Sequence, residues 1–530
     1  MRHRNVLTGK LIALFLIPLL LFLILFYDKT RLEKNRLDVP LLSEEEYAQL
    51  ASLPPLEELD FNALTYQQSK VAFDRQSNTL YLPQDPDTDD WSGHLGSIYD
   101  SVTLYFQDDP LFRDKAASIR ESHVFKLLMI CDGKCREFSV IFTGLPAVCL
   151  WGQDYELSEF TLFDPKDRAG TGGVITSYCT FHWRGYTSAA FPKKGWRISL
   201  CDSDLNKKKA NLLGMRNDDD WILNAMYSDP TKLRENLAYT LWEDINRLEA
   251  ESAQSSQLEY VEFFLNGQYY GLYALMVPLD GKQLSLKEGD LMYRPRSYEL
   301  ATEEDFESCT DSLELLNGQD ISIASITWPN TTDSYFSWEP YRLYQAYIFG
   351  DAGQDPLTDL GIDLDANNAV VYNWFYQLTC ASDNTWKNTV IVIKRQPDNR
   401  YRLYQTVWDL DYTFGDTWTA DSFSRTYFRP EDGELLPNTP MYVRCLKDDP
   451  ESVQALSIQK WKSWDDAGIT AEYLCNLADS EMEFLLKSGA FQRDSERWPE
   501  CQNSSDLTQL KAWIQSRFST LNRYFSQLGS

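Results

Sequence analysis

An α+β fold is predicted, with an apolar helix at the N-terminus and a helical extension at the C-terminus. Three observations point to it. Alternating apolar runs separated by turn signals dominate from about 120 to 276, a helical pattern is set between them, and amphipathic helical periodicity fills about 451 to 530. With 530 residues, 43% hydrophobic and 14% aromatic, the chain can bury a large core and is too long for one small domain.

The first ten residues form a basic segment with Arg2, Arg4 and Lys10, and an uninterrupted apolar run follows from Leu11 to Tyr27. At about 1.5 Å per residue the run makes roughly 25 Å of helix, marginal but sufficient for a hydrocarbon core of about 30 Å. A cleavable signal peptide is the rival reading. No small-x-small cleavage site follows, and DKTRLEKNR comes directly after, so an uncleaved transmembrane signal anchor over 11–27 is favoured. Basic residues on both flanks leave the charge asymmetry nearly balanced, so orientation rests on the signal-like N-terminus. The expectation is a single-pass protein of the cell membrane with its bulk outside the cytoplasm.

Residues 28–110 are rich in Pro, Asp, Glu and Ser and read as a stalk and lead-in. From about 120, HVFKLLMI and EFSVIF, then ITSYCTFHWRGYTS and KKGWRISL, then YVEFFLNGQYYGLYALMV read as strands, with Asn266-Gly267 marking a turn. Between the last two groups, Leu233, Leu237, Leu241 and Ile245 follow helical spacing, with Ser228 or Asp229 as N-cap and Pro230 at the first helical position. Residues 335–382 read as helical, VIVIK and YRLYQTVWDLDY as a second hairpin, and the tail as amphipathic helices.

A net charge of −29 argues against nucleic-acid binding, which needs clustered Lys and Arg to displace counterions. The one dense basic cluster, Lys207 to Lys209, reads as a solvated loop. A nucleotide would have to be handled through a local basic pocket or divalent ions. Ten cysteines make an even count that an exported protein could pair. Zinc is disfavoured, because no second Cys or His pair follows Cys131 and Cys135 at ligand spacing and only four His are present.

Four segments carry candidate chemistry. The turn Trp183-Arg184-Gly185-Tyr186-Thr187-Ser188 precedes Lys193-Lys194-Gly195-Trp196-Arg197, and small hydroxyl residues in a tight turn ahead of a Lys-led strand can face a polyphosphate. Alone it also describes an ordinary surface hairpin. Glu235, on the helix after Asp220-Trp221-Ile222-Leu223-Asn224, can orient that Lys or sit as an exposed helix Glu. In Asp383-Asn384-Thr385-Trp386-Lys387-Asn388, a carboxylate and an amide at D-x-x-x-x-N spacing suit proton acceptance and metal contact. In Trp408-Asp409-Leu410-Asp411, carboxylates at i and i+2 of an extended segment share a face and can share a Mg²⁺ ion; the following Thr413, Phe414 and Gly415 break an EF-hand pattern.

Taken in order, RG-x-[ST]-S with PKK-x-[WY]-R-[LI], then DW-x-L-x-A followed by LR-x-x-LA, then LNG-x-Y-x-GLY, then D-x-x-x-x-N and WD-x-D-x-x-FG, the chain resembles the CotH family of atypical, spore-coat-type protein kinases between about 175 and 416. The resemblance implies a divergent kinase-like, two-lobed fold over 111–440, with 441–530 as the helical extension. It implies transfer of the γ-phosphoryl of ATP, with Mg²⁺ or Mn²⁺, to Ser or Thr of exported proteins. Residue by residue, Asp383 would be the catalytic-loop Asp, and Asn388, Asp409 and Asp411 the metal ligands. Lys194, or else Lys193, would touch phosphate together with Arg197, and Arg184 would support the loop. One departure is Met276-Val277-Pro278, which stands where family members carry an acidic residue. A non-catalytic surface scaffold or adhesin, and a transferase using ATP on another acceptor, are the competing functions.

Overall fold

The computed structural model describes residues 37–56, 63–185, 187–249, 253–308, 312–314, 322–328, 334–351, 353, 355–418, 425–427 and 434–529. The predicted anchor, Leu11 to Tyr27, and the basic segment before it lie outside these residues. Among the described residues no helix is long and apolar enough to cross a membrane. The fold is mixed α+β and divides into two units.

The first unit takes in the described residues up to Ala225 together with Glu259–Leu275 and Phe484–Trp498. It opens with β1 (Leu41–Leu42), β2 (Ala72–Asp74), β3 (Thr79–Pro83), β4 (Val102–Gln107), β5 (Val124–Cys131) and β6 (Lys134–Thr143), in the sheet order β1-β4-β5-β6-β3-β2. The described residues of the segment read as a stalk and lead-in therefore contribute strands to this sheet. Their apolar positions, short in sequence, are completed by β5 and β6: Phe106, Phe112, Phe125 and Phe142 pack edge-on and tilted around Trp91. The β5–β6 hairpin turns through Asp132 and Gly133, both at positive φ, the arrangement that matches strand twist in a two-residue loop.

A closed seven-stranded barrel follows, made of β7 (Ala147–Trp151), β8 (Ser158–Phe163), β9 (Val174–Arg184), β10 (Gly195–Cys201), β11 (Asp220–Asn224), β12 (Leu258–Leu265) and β13 (Tyr269–Met276). Parallel pairing of β7 with β12 closes it. The expected turn at Asn266-Gly267 is present, both residues at positive φ, joining β12 to β13. Closure leaves this sheet no free strand edge, a feature the strand pattern does not show.

The lysine Lys193 enters this unit with no solvent exposure. Its ammonium lies 2.8 Å from the Asp494 carboxylate, donates to the Leu272 carbonyl at 2.6 Å and sits over the Tyr273 ring. Asp494 also accepts from the Leu272 N–H at 2.9 Å. Gly271 has a φ of +107°, and a Cβ there would overlap the Asp494 carboxylate, which explains the glycine of the GLY motif. Beside it, the buried Arg493 pairs with Glu262 at 2.8 Å and donates to Thr143 and Ser122. Arg493 and Asp494 both come from the short helix Ala490–Arg497, so part of the predicted C-terminal extension is core of the first unit.

The second unit spans Met226–Leu258, Met276–Glu483 and Pro499–Ser530 over its described residues. Its sheet runs β15 (Ser312–Glu314), β16 (Ser322–Trp328), β14 (Leu291–Pro295), β18 (Thr389–Arg395), β19 (Tyr401–Val407), β17 (Ile362–Leu364). The β18–β19 hairpin is the one predicted. Among its helices are α1 (Arg234–Leu248), α2 (Glu303–Ser308), α3 (Ser334–Phe349), α4 (Ala366–Thr379), α5 (Pro440–Asp448), α6 (Pro450–Asp466) and α7 (Thr508–Leu528). The nine described cysteines are free, and all but Cys131 are buried.

Removing Asp494 strands a buried ammonium, and a buried pair broken on one side costs about 3–5 kcal/mol. Asp494→Ala is expected to lower stability by that amount in urea unfolding followed by Trp fluorescence; a change within error would show the pair to be dispensable.

Candidate functional site

Helix α1 starts at Arg234, later than Pro230 suggests, because Asp229 reaches forward to cap it. The Asp229 carboxylate accepts from the N–H groups of Thr231, Leu233 and Arg234 and pairs with the Arg234 guanidinium at 2.6 Å. Four residues are thereby gathered into a buried turn ahead of the helix. Burial alone would raise the Asp229 carboxyl; Arg234 and the N–H donors outweigh it and hold it at about 2. Ser228, the other predicted cap, instead donates its hydroxyl to Asp411 at 3.1 Å.

Asp383 follows the end of α4, where Cys380 adopts the left-handed conformation that stops the helix. One carboxylate oxygen of Asp383 accepts from Lys387 at 2.9 Å and from the Asn388 amide at 2.8 Å. The other accepts from the Tyr298 hydroxyl at 2.9 Å. The two residues chosen for their D-x-x-x-x-N spacing are thus in direct contact. Asn388 has a φ of +60°, which Asn tolerates better than other side chains.

The loop is tied to the metal-candidate strand by a residue the sequence reading passed over. Asn384 is buried and its amide bridges the carbonyls of Asn388, at 3.3 Å, and Trp408, at 2.6 Å, while Tyr372 holds the Asn384 carbonyl. Asx residues in D-N-T-W-K-N give no sign of which one is structural; only burial separates them.

Asp409 is exposed at a φ of +61°, its N–H donating to the Tyr239 hydroxyl of α1 at 3.2 Å. The Asp411 carboxyl is pushed well above the usual carboxylate range by burial and by the Asp409 and Glu235 carboxylates, with Asp383 adding to the same field and the Ser228 hydroxyl opposing it. Glu235 sits in the first turn of α1 and belongs to this acidic group. Of its two readings, the exposed helix Glu is corrected by its burial, and the carboxylate that meets Lys193 is Asp494. Past Asp411, a Cβ at Gly415 would overlap the Trp513 indole of α7, and Phe414 meets the same ring edge-on. Arg517 of α7, fully buried, donates to the Gln377 and Glu434 carbonyls and so fastens the end of α4. The C-terminal helix is built into this unit.

The basic candidates lie in the first unit. Arg184 ends β9 opposite Gly195. The Lys194 ammonium donates to the Ala189 carbonyl of the preceding turn, and Arg197 grips Asp220 across β10 and β11 with two hydrogen bonds. Lys193 is enclosed by the Asp494 pair, so its ammonium is already held. Asp383, Asn388, Asp409 and Asp411 are brought together within the second unit. Among the described residues no three His, Cys, Asp or Glu side chains form a metal cage.

Asp229 contributes stability above about pH 4 that is lost as pH falls toward 2, since its folded value lies below its unfolded one. Asp229→Asn is expected to cost about 3–5 kcal/mol at neutral pH, read by chemical denaturation, with the difference from wild type shrinking in acid. Asp411 has the opposite sign: ionising it opposes folding as pH rises past the ordinary carboxylate range. In metal-free buffer at pH 7, Asp411→Asn should raise the thermal midpoint, and below pH 4 the gain should disappear.

No curated protein matches this chain. The family model described as CotH kinase protein matches residues 181–521, reaching beyond the motifs quoted above to include the helices that carry Asp494, Trp513 and Arg517. The chain belongs to the CotH kinase protein family.

Proposed function

We propose that this protein transfers the γ-phosphoryl group of ATP, with Mg²⁺ or Mn²⁺, to Ser or Thr hydroxyls of exported or surface proteins, from a kinase-like fold tethered outside the cytoplasm by Leu11 to Tyr27. The observation that carries the reading is the division of labour at Asp383. Lys387 and Asn388 fix one oxygen, and a hydroxyl already sits on the other at 2.9 Å, the reach a general base requires.

The donor set fits a dication shared with a triphosphate. Mg²⁺ in phosphoryl-transfer sites is held by one or two carboxylates with phosphate oxygens and water, so no three-carboxylate cage is needed. The raised Asp411 marks a place where negative charge is crowded and a cation is favoured. Asp409, Asp411 and the amide oxygen of Asn388 would hold it, and bound there it would offset charge developing on the phosphates. Asp383 orients the acceptor hydroxyl and takes its proton. Asn384 keeps Asn388 and Trp408 in register, and Ser228 steadies Asp411.

The test is incubation of the purified chain with γ-labelled ATP and Mn²⁺ or Mg²⁺. Label on protein, reduced on the order of a hundredfold or more by Asp409→Ala, is expected. No label with either metal, and no thermal shift with ATP, would move the assignment to a binding scaffold.

A further inference from the structure

Tyr298 occupies the place at Asp383 that an acceptor hydroxyl needs. It lies in the loop between β14 and α2, whose ends are pinned: Arg296 donates its N–H to the Ile323 carbonyl at 2.7 Å, and Ala301 exchanges two hydrogen bonds with the Gln345 side chain, at 3.0 and 2.6 Å. Between these anchors the loop presents Tyr298, 52% exposed, with its hydroxyl 2.9 Å from Asp383. The half of the carboxylate it touches is the half that Lys387 and Asn388 leave open. The hydroxyl keeps its proton, since burial and the Asp383 charge both oppose the phenolate, so transfer would require a base, and Asp383 is in contact.

We propose that Tyr298 is a phosphorylation site of this protein, modified in cis by the Asp383 centre, so that the acceptor class extends to a phenol. The inference rests on the phosphotransferase reading above. In the step, Tyr298 Oη forms a bond to the γ-phosphorus of ATP as the bond from that phosphorus to the β,γ-bridging oxygen breaks. The phenolic proton passes to Asp383, and ADP leaves with the bond's electron pair on its terminal oxygen. The Lys387 ammonium lies 2.9 Å from Asp383 on the same loop.

Two measurements on the full chain test this. With γ-labelled ATP and Mn²⁺, phosphosite mapping should place label on Tyr298, at a rate per molecule independent of protein concentration, and Tyr298→Phe should lose that label. Casein is added in parallel as a Ser/Thr acceptor. Labelled casein with unlabelled Tyr298 sinks the inference alone; no label on either sinks the phosphotransferase reading with it. Without nucleotide or metal, nitration by tetranitromethane, which needs the phenolate, should be slow at Tyr298 and several-fold faster in Asp383→Ala. Equal rates in the two proteins would show that the phenol does not rest on Asp383 and would overturn the proposal.

Discussion

A lysine ammonium without solvent has to meet a carboxylate, and here the partner of Lys193 lies 301 residues away at Asp494. Burial of an unpaired charge is too expensive to survive folding, so the helix carrying Asp494 must return to the first unit. That requirement explains features otherwise scattered along the chain. Gly271 lacks a side chain because the Asp494 carboxylate stands where one would go, and the Leu272 N–H and C=O serve the two charges separately. Arg493, one residue earlier, makes the same return for Glu262. The first unit is therefore assembled from three stretches of sequence, the last contributed by only fifteen residues or so around this helix.

The second unit is organised by the opposite problem, too much negative charge. Asp229 is neutralised within the fold by Arg234 and a fan of N–H groups, and its acidity is strengthened accordingly. Asp411 has Asp409, Glu235 and Asp383 around it, with the Ser228 hydroxyl in support, and its acidity is weakened. Two aspartates of one unit are thus driven in opposite directions by their neighbours. A stability-driven sequence has no reason to keep the second arrangement, and carboxylates perturbed in this way gather at functional sites.

Backbone strain gathers at the same place. Cys380, Asn388, Asp409 and Phe414 all have positive φ, a conformation that costs roughly 1–2 kcal/mol per residue for most side chains. The surrounding contacts hold them there: the Phe414 N–H on the Thr379 carbonyl, the Asp409 N–H on Tyr239, the Asn384 amide between Asn388 and Trp408. Helix α7 backs this arrangement through Trp513 and Arg517. A family match extending to residue 521 is consistent with those helices being part of the domain.

Local pattern and composition alone determined the mixed α+β class, the Asn266-Gly267 turn, the β18–β19 hairpin and the C-terminal helices, because each is written within one turn, one strand pair or one helical stretch. Strand and helix periodicity are properties of near neighbours in the chain. What only the tertiary structure decided involves partners far apart in sequence. The sheet built from the supposed stalk needs β5 and β6 to cover it; barrel closure needs β7 to meet β12; the charge on Lys193 needs Asp494 rather than Glu235. The roles of Ser228, Asn384 and Tyr298 belong to the same class. A hydroxyl or an amide reads as a cap or a turn until folding removes it from water, and then the nearest unsatisfied charge or carbonyl, wherever it lies in the chain, determines what it does.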